Sequence, residues 1–215
     1  MEIKVVKDIL SVNDQMAERN RAVFEAKGLS VINIMSSPGS GKTSLILETV
    51  RRLKGKVGMA VVEGDISSSI DAEKISQEQV PVVQINTGGE CHLDAGMINR
   101  ALDSLPLDDI RLLLIENVGN LVCPGEFNLG ESKKVLILSV PEGDDKVYKY
   151  PLMFSIADLV LVNKVDLLAY TRFDVERLTG AVRAINQRAE VLRVSCTTGE
   201  GIDDWVSWVQ ANLGL

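Results

Sequence analysis

Metal-binding side chains and aromatic residues are scarce in this sequence of 215 residues. It contains one histidine and three cysteines, and aromatic residues make up 4% of the chain. Three cysteines are too few for a fold held together by disulfides, and we expect them to remain thiols in a reducing compartment. Each cysteine is therefore a candidate for metal binding or for packing in the core.

Long apolar segments and an excess of positive charge are missing too. No apolar run reaches the ~18–20 residues that cross a bilayer, and the first residues lack the apolar core of a signal peptide. The formal net charge of −7 argues against a broad surface for nucleic acid or anionic lipid. We therefore expect a cytoplasmic protein that binds neither nucleic acid nor membrane.

A phosphate-binding motif stands near the start of the chain. A β-branched apolar run ends at Ser36, and a loop of small residues leads to Lys42 and Thr43, which open an apolar helical pattern. The N–H groups of such a loop surround phosphate, the lysine reaches the β- and γ-phosphates, and the hydroxyl can ligate Mg²⁺. The usual motif has glycine where this chain has Ser36, but the flanking strand and helix support the assignment. Lys42 is also assigned a catalytic role, and the nucleotide-binding residues predicted here are Pro38, Gly39, Ser40, Gly41, Lys42, Thr43 and Ser44.

A second motif indicates which base is bound. Asn163, Lys164 and Asp166 directly follow a buried strand. The aspartate can accept hydrogen bonds from N1–H and the exocyclic amine of guanine, whereas adenine presents the opposite pattern. A later strand is followed by Ser195, Cys196 and Thr197, which suit a second wall of the base pocket, with Cys196 as a small packed residue. The predicted nucleotide is therefore GTP.

Carboxylates follow the strands expected to neighbour the phosphate loop. Mg²⁺ takes oxygen ligands, and we favour Asp65 and Glu116 for it together with Thr43. Asp71 is favoured for positioning or deprotonating the attacking water, although the roles of the two aspartates can be exchanged. In the segment Glu116-x-x-Gly119, the glycine N–H would sense the γ-phosphate.

The single histidine belongs to a third group of residues. Cys91 and His92 lie in a glycine-led loop, and Cys123 lies in another loop. Thiolate and imidazole suit Zn²⁺ or Ni²⁺, but packing of buried thiols explains the same residues equally well. Three ligands do not complete a tetrahedral site, so further ligands would come from water or from a symmetry-related chain.

Valine-, isoleucine- and leucine-rich segments alternate with amphipathic helical segments along the chain. This alternation predicts a mostly parallel sheet with helices on both faces, the three-layer α/β sandwich of a P-loop NTPase. We expect one such domain over residues 30–215, preceded by a helical extension over residues 1–29. Asn13 is expected to cap the helix of this extension, and its apolar stripe would pack on the flank of the sheet or on a partner.

The motifs together resemble the hydrogenase nickel incorporation GTPases (HypB), which belong to the SIMIBI class. The segments that carry the resemblance are SSPGSGKT, EGDISSSIDA, GGECHLDA, ENVGNLVCP, PEGDDKVYKYP, LVNKVDLL and SCTTGEG. The resemblance implies a GTPase that dimerises on GTP and delivers nickel during [NiFe]-hydrogenase maturation. It implies the maturation protein HypA and the hydrogenase large-subunit precursor as partners. It also implies nickel or zinc at the dimer interface on Cys91, His92 and Cys123, and contact of the segment around Lys146 and Lys149 with nucleotide or the other subunit.

One departure and several alternatives accompany this resemblance. Some members carry an N-terminal C-x-x-C-G-C motif or a histidine-rich tract, and this sequence has neither, so the GTPase-domain site is the expected metal site. A urease accessory GTPase typically carries a Cys-Pro-His arrangement, and a cobalamin-enzyme chaperone GTPase needs no Cys-His pair. A small-molecule kinase would use the phosphate loop alone, which Asn163 and Asp166 argue against.

Overall fold

Seven strands form one sheet, and every strand pair in it is parallel. The structure is a computed structural model that describes residues 9–66 and 69–213. The strands are β1 (Ser30–Ser36), β2 (Met59–Asp65), β3 (Val82–Asn86), β4 (Leu112–Glu116), β5 (Lys133–Ser139), β6 (Leu159–Asn163) and β7 (Glu190–Arg193). They lie in the order β3-β2-β4-β1-β5-β6-β7. The predicted mostly parallel sheet is therefore confirmed, and within the described residues it is parallel throughout.

Helices cover both faces of this sheet. They are α1 (Ile9–Lys27), α2 (Lys42–Leu53), α3 (Ile70–Ser76), α4 (Ala95–Leu102), α5 (Lys146–Lys149), α6 (Pro151–Ile156), α7 (Val175–Ile185) and α8 (Ile202–Leu213). Side chains of α2, α3 and α8 pack on one face with Ile32 and Ile34 of β1. The other helices pack on the opposite face, where Val31 and Met35 point, because side chains alternate along a strand. This is the predicted three-layer sandwich. Across the described ranges, no helix is both long and apolar enough to cross a membrane.

The predicted N-cap at Asn13 is wrong. Helix α1 already includes Ile9, and Asn13 lies inside it with its side chain buried. Its Nδ2 donates to the Asn128 carbonyl at 2.8 Å, and its Oδ1 accepts from the Ala95 N–H at 2.8 Å. The amide thus makes tertiary contacts instead of capping its own helix. The apolar stripe is found as expected on the flank of the sheet, where Phe24 is buried.

Asn20 extends this attachment of α1 along the same face of the helix, about two turns after Asn13. It is fully buried, and its Nδ2 donates to the carbonyls of Ala95 (2.8 Å) and Leu129 (3.0 Å). Its Oδ1 accepts from Asn99 Nδ2 at 3.0 Å. Helix α1 is therefore bonded to the start of α4 and to the loop before β5.

Replacement of Asn20 by alanine is expected to lower the free energy of unfolding by about 2–3 kcal/mol, because buried carbonyls lose their donor. Urea unfolding followed by circular dichroism measures the change. Arg19→Ala on the exposed face of the same helix is the control, with an expected change within about 0.5 kcal/mol. A loss below about 1 kcal/mol for Asn20→Ala would show that α1 is not held by this amide.

Candidate nucleotide and metal sites

The phosphate loop connects the end of β1 to the start of α2, as the motif predicts. Gly41 precedes α2 with φ +103°, a conformation that L side chains rarely adopt. A cavity of about 430 Å³ opens in front of the loop. Of the predicted site residues, it is lined by Pro38, Gly39, Gly41, Lys42, Thr43, Ser44, Asp65, Asp71, Glu116 and Gly119. Ser40 is buried beside the cavity, and its hydroxyl donates to Glu142 Oε1 at 2.6 Å.

Ser36, the departure from the usual motif, contacts the motif lysine. The Lys42 ammonium donates to the Ser36 hydroxyl at 3.2 Å, and that hydroxyl donates to the Ser37 carbonyl at 2.7 Å. Burial lowers the pKa of Lys42, whereas the negative charge of Glu116 acts in the opposite direction. Serine at this position therefore gives the lysine a hydrogen-bond acceptor that glycine would not supply.

Two buried glutamates lie near the phosphate loop, Glu63 within β2 and Glu116 at the end of β4. Thr43 Oγ1 donates to Glu116 Oε1 at 2.9 Å, and burial raises the pKa of Glu116 to about 7 although Lys42 and Thr43 oppose the shift. Glu63 on β2, which the sequence analysis did not select, pairs with Glu116 in the register of β2 and β4. Burial, reinforced by Glu116, raises the pKa of Glu63 to about 8.

The carboxylate oxygens of the two glutamates and the nearby Thr43 hydroxyl suit a divalent cation. The Oε2 atoms of Glu63 and Glu116 are buried without a hydrogen-bond partner among the residues that the structure describes. Buried carboxylate oxygens without partners are costly, and hard cations such as Mg²⁺ bind such oxygens together with a hydroxyl. The residues present therefore fit the magnesium ion that the P-loop motif implies.

The two aspartates predicted here lie at the same cavity. Asp65 ends β2 and Asp71 lies in the first turn of α3, where its carboxylate accepts from Lys74 Nζ at 2.8 Å. Residues 67 and 68 between them lie outside the described ranges. Gly119 also lies against the phosphate loop, since a Cβ on it would be 2.9 Å from Pro38 Cα. The roles assigned to Asp65, Asp71 and Gly119 stay predictions.

The base-recognition motif is bonded directly to the phosphate loop. Asn163 Nδ2 donates to the Ser40 carbonyl at 2.8 Å, and Lys164 Nζ donates to the Gly39 carbonyl at 2.7 Å. Ser195 Oγ donates to Asp166 Oδ1 at 2.5 Å, which joins the two predicted walls of the base pocket. These contacts bring the motif after β6 and the turn after β7 to the same end of the sheet.

The remaining two base-pocket residues differ in their surroundings. Cys196 is half-buried against the core, and burial raises its pKa to about 11. A thiol of this kind is a packing residue, as the sequence analysis expected. Thr197 is exposed at the edge of the turn.

Two loops bring three possible metal ligands close together, Cys91 and His92 from one loop and Cys123 from the other. The two cysteines are 32 positions apart in sequence. The Cys91 thiol donates to the Cys123 sulfur at 2.9 Å, and Cys91 Sγ lies 3.8 Å from His92 Nδ1. All three ligand atoms lie within 4.8 Å of one another, and both thiols are free. The ring of Phe127 stacks on His92 with a centroid distance of 3.8 Å. The three side chains are half-buried and close enough together to be candidate ligands of one metal ion.

One buried asparagine joins the metal cluster to the nucleotide cavity. Asn117 follows Glu116, and its Oδ1 accepts from the Leu93 N–H at 3.1 Å, directly after His92. The Leu93 side chain packs closely on Gly64. A Cβ added to that glycine would lie only 2.7 Å from Leu93 Cδ1, so there is room for glycine alone. The loop with the candidate metal ligands Cys91 and His92 is therefore fixed to the ends of the two strands that carry Glu63 and Glu116.

Comparisons with known proteins agree with this geometry. The family model described as "CobW/HypB/UreG, nucleotide-binding domain" matches residues 30–193. The Hydrogenase maturation factor HypB of Escherichia coli (strain K12) is 52% identical over 208 residues, which are 97% of this chain and 72% of that protein. Among the alternatives raised by the sequence, these matches favour HypB over a urease accessory or cobalamin-enzyme GTPase.

Solved structures show the same relationship. The crystal structure of HypB from Helicobacter pylori in complex with nickel has a TM-score of 0.89 and 39% sequence identity, and the match covers 94% of each chain. The signal recognition particle receptor FtsY from Elizabethkingia anophelis has a TM-score of 0.58 and 14% identity, covering 95% of this chain and 72% of that one. The second similarity shows a common fold alone.

Proposed function

Since this chain belongs to the CobW/HypB/UreG family, and within it to the HypB hydrogenase maturation factors, we propose that it is a GTP-hydrolysing metallochaperone. Its task would be to insert nickel during [NiFe]-hydrogenase maturation. The two thiols of the cluster must stay reduced to bind metal, which suits work in the cytoplasm. Family membership and the two connected sites support this proposal.

The observation that carries the proposal is the connection between the two sites. Cys91, His92 and Cys123 form a group with thiol and imidazole donors, which suits Ni²⁺ and Zn²⁺ alike. Asn117, the residue after Glu116, accepts a hydrogen bond from the Leu93 N–H directly after His92. Glu116 itself accepts from Thr43 of the phosphate loop. A change at the γ-phosphate that moves the end of β4 would therefore move the metal ligands, and nucleotide and metal affinities would be linked reciprocally.

The chain's own groups account for nucleotide binding and hydrolysis. Lys42 and the loop N–H groups hold the phosphates, and Asp166 accepts from the guanine edge. Thr43, Asp65 and Glu116 would hold Mg²⁺, which when bound neutralises charge on the β- and γ-phosphates. Asp71 would position the attacking water, or Asp65 would do so with the roles exchanged.

A second copy of the chain would complete the metal site. Three ligands from one chain leave a tetrahedral or square-planar ion short of donors, and a two-fold axis would supply the same three from a partner. We therefore propose a homodimer that forms on GTP binding. The maturation protein HypA and the hydrogenase large-subunit precursor are the proposed partners, and family membership supports them.

Nickel titration with nucleotide tests the proposed function. Ni²⁺ is added to the protein with GDP or with a non-hydrolysable GTP analogue, and binding is followed by calorimetry and by thiolate-to-nickel absorption. We expect saturation at about one ion per two chains with the GTP analogue and a different affinity with GDP. Cys91→Ala should weaken binding by at least ~100-fold because a thiolate ligand is lost.

The control is Glu126→Ala, which removes an exposed carboxylate near Cys123 that is not in the cluster. It should bind Ni²⁺ within about threefold of wild type. Equal Ni²⁺ affinity and stoichiometry in the two nucleotide states would refute the linkage, and unchanged binding by Cys91→Ala would refute the site.

A further inference from the structure

Glu63 is a charged residue inside an apolar strand. It follows Val61 and Val62 on β2, in the interior of the sheet between β3 and β4, and it is 2% exposed. Buried positions of parallel strands are normally apolar, because both faces are covered. A glutamate there is costly unless something compensates its charge. The residue also lines the nucleotide cavity, which indicates where the compensation comes from.

The described protein groups compensate this charge only in part. Burial and the neighbouring carboxylates together raise the pKa of Glu63 to about 8, although Lys42 acts to lower it. Glu63 Oε2 is buried and has no hydrogen-bond partner within the described ranges. The two cationic side chains of the cavity have other contacts, since Lys42 donates to Ser36 and Lys74 donates to Asp71. Glu116, the register partner of Glu63, carries a negative charge of its own when ionised.

The balance of charge in the cavity points to a cation. Among the residues that the structure describes, four carboxyl side chains and two lysines line it. A triphosphate brings further negative charge, so the ionised cavity can accept it only together with positive charge. The position of Glu63 is also fixed, because Leu93 packs on Gly64 next to it and β2 pairs on both sides. The carboxylate therefore stays directed at the cavity.

We propose that Glu63 is a further residue of the divalent cation site, where its carboxylate accepts hydrogen bonds from water molecules bound to the ion. The proposal rests on the proposed function, since it concerns the cation that accompanies GTP or GDP. Mg²⁺ keeps several waters when it binds with phosphates, and a second carboxylate that holds those waters raises the affinity for the ion. Glu63 is in this sense a positioning residue, whereas Thr43, Asp65 and Glu116 are the candidates for direct contact.

The test is the Mg²⁺ dependence of nucleotide binding in Glu63→Gln, which keeps the shape of the side chain and removes its charge. Binding of a fluorescent GDP analogue is titrated with Mg²⁺, and Mn²⁺ binding to the GDP complex is measured by electron paramagnetic resonance. We expect the half-saturating concentration of either ion to rise about tenfold. GDP affinity at saturating Mg²⁺ should stay within about twofold of wild type, because no contact to the nucleotide is removed.

Glu176→Gln on the exposed face of α7 is the matched control, since it removes one negative charge far from the cavity. Its Mg²⁺ dependence should equal that of wild type. Glu63→Asp retains the charge and should lie between wild type and Glu63→Gln, and thermal unfolding verifies that each variant is folded. If Glu63→Gln does not fold, the Mg²⁺ dependence of nucleotide binding is measured with Glu63→Asp instead, and a half-saturating Mg²⁺ concentration above that of wild type is then the expected result.

Two outcomes would overturn the inference. An unchanged ion dependence in Glu63→Gln would show that the carboxylate does not hold the cation, and so would a loss of GDP affinity that saturating Mg²⁺ does not restore. A wild-type protein that binds no guanine nucleotide would instead refute the proposed function. Mn²⁺ binding to the nucleotide-free protein and its Glu63→Gln variant would then decide the role of Glu63 separately.

Discussion

Asp166→Asn is expected to lower GTP affinity by at least ~100-fold and to create affinity for XTP. The carboxylate of Asp166 is positioned to accept from two guanine donors, and an asparagine Nδ2 would face the exocyclic amine with a second donor. Xanthine has a carbonyl at that position, which accepts from the amide. Ser195 already donates to Oδ1 of Asp166, so the same contact orients the asparagine with its Nδ2 toward the base.

Displacement of a fluorescent GDP analogue by GTP, XTP and ATP measures this exchange of specificity. Asp204→Asn, on an exposed position of α8, is the matched control and should retain the wild-type order of affinities. GTP affinity within threefold of wild type in Asp166→Asn would show that the base is bound elsewhere.

Gly41→Ala is expected to abolish nucleotide binding for a structural reason. Its φ of +103° lies outside the regions open to alanine, and left-handed conformations cost an L residue roughly 1–2 kcal/mol. The added Cβ would also overlap Asn163 Nδ2, which must then rotate away and lose its bond to the Ser40 carbonyl. The phosphate loop and the base-recognition loop would then lose the buried one of the two hydrogen bonds that join them, which leaves the exposed bond from Lys164 Nζ to the Gly39 carbonyl. We expect GDP affinity to fall by about 100-fold or more.

Gly55→Ala separates backbone strain from the loss of this contact. Gly55 has φ +75° and open space around its missing Cβ, so the variant should lose about 1–2 kcal/mol of stability and bind GDP normally. Fluorescent GDP titration and urea unfolding of both variants provide the comparison. Normal GDP binding by Gly41→Ala would show that the two loops recognise the nucleotide independently.

The strands and their functional ends could be predicted because burial on both faces imposes a simple pattern. A parallel strand covered on both faces is a short, continuous apolar run, and ligands bind at the carboxyl ends of such strands. Asn163 follows one run and Glu116 ends another, so the motifs could be placed at one edge of the sheet before any contact was known. The serine at position 36 was also interpretable, because the strand and helix around it defined the loop.

Residues whose partners are distant in sequence could not be assigned in this way. Asn13 has the chemistry of an N-cap, but Ala95 and Asn128 determine its role, and nothing local identifies them. Asn117 joins two sites through the N–H of Leu93, which no motif encodes. Glu63 did carry a signal, a charge within an apolar strand, although its neighbour Asp65 fitted the expected pattern better.

The order of the strands has a consequence for how the chain is made. Strand β1 pairs with β4 and β5 and with neither β2 nor β3, so its first partner strand begins only at Leu112. During synthesis from the N-terminus, the strand that leads into the phosphate loop remains without a neighbour while the next two strands emerge. Its apolar edge is exposed throughout that interval, and the slow closure of non-local parallel pairs prolongs it. The phosphate loop is therefore encoded early in the chain and assembled late in its folding.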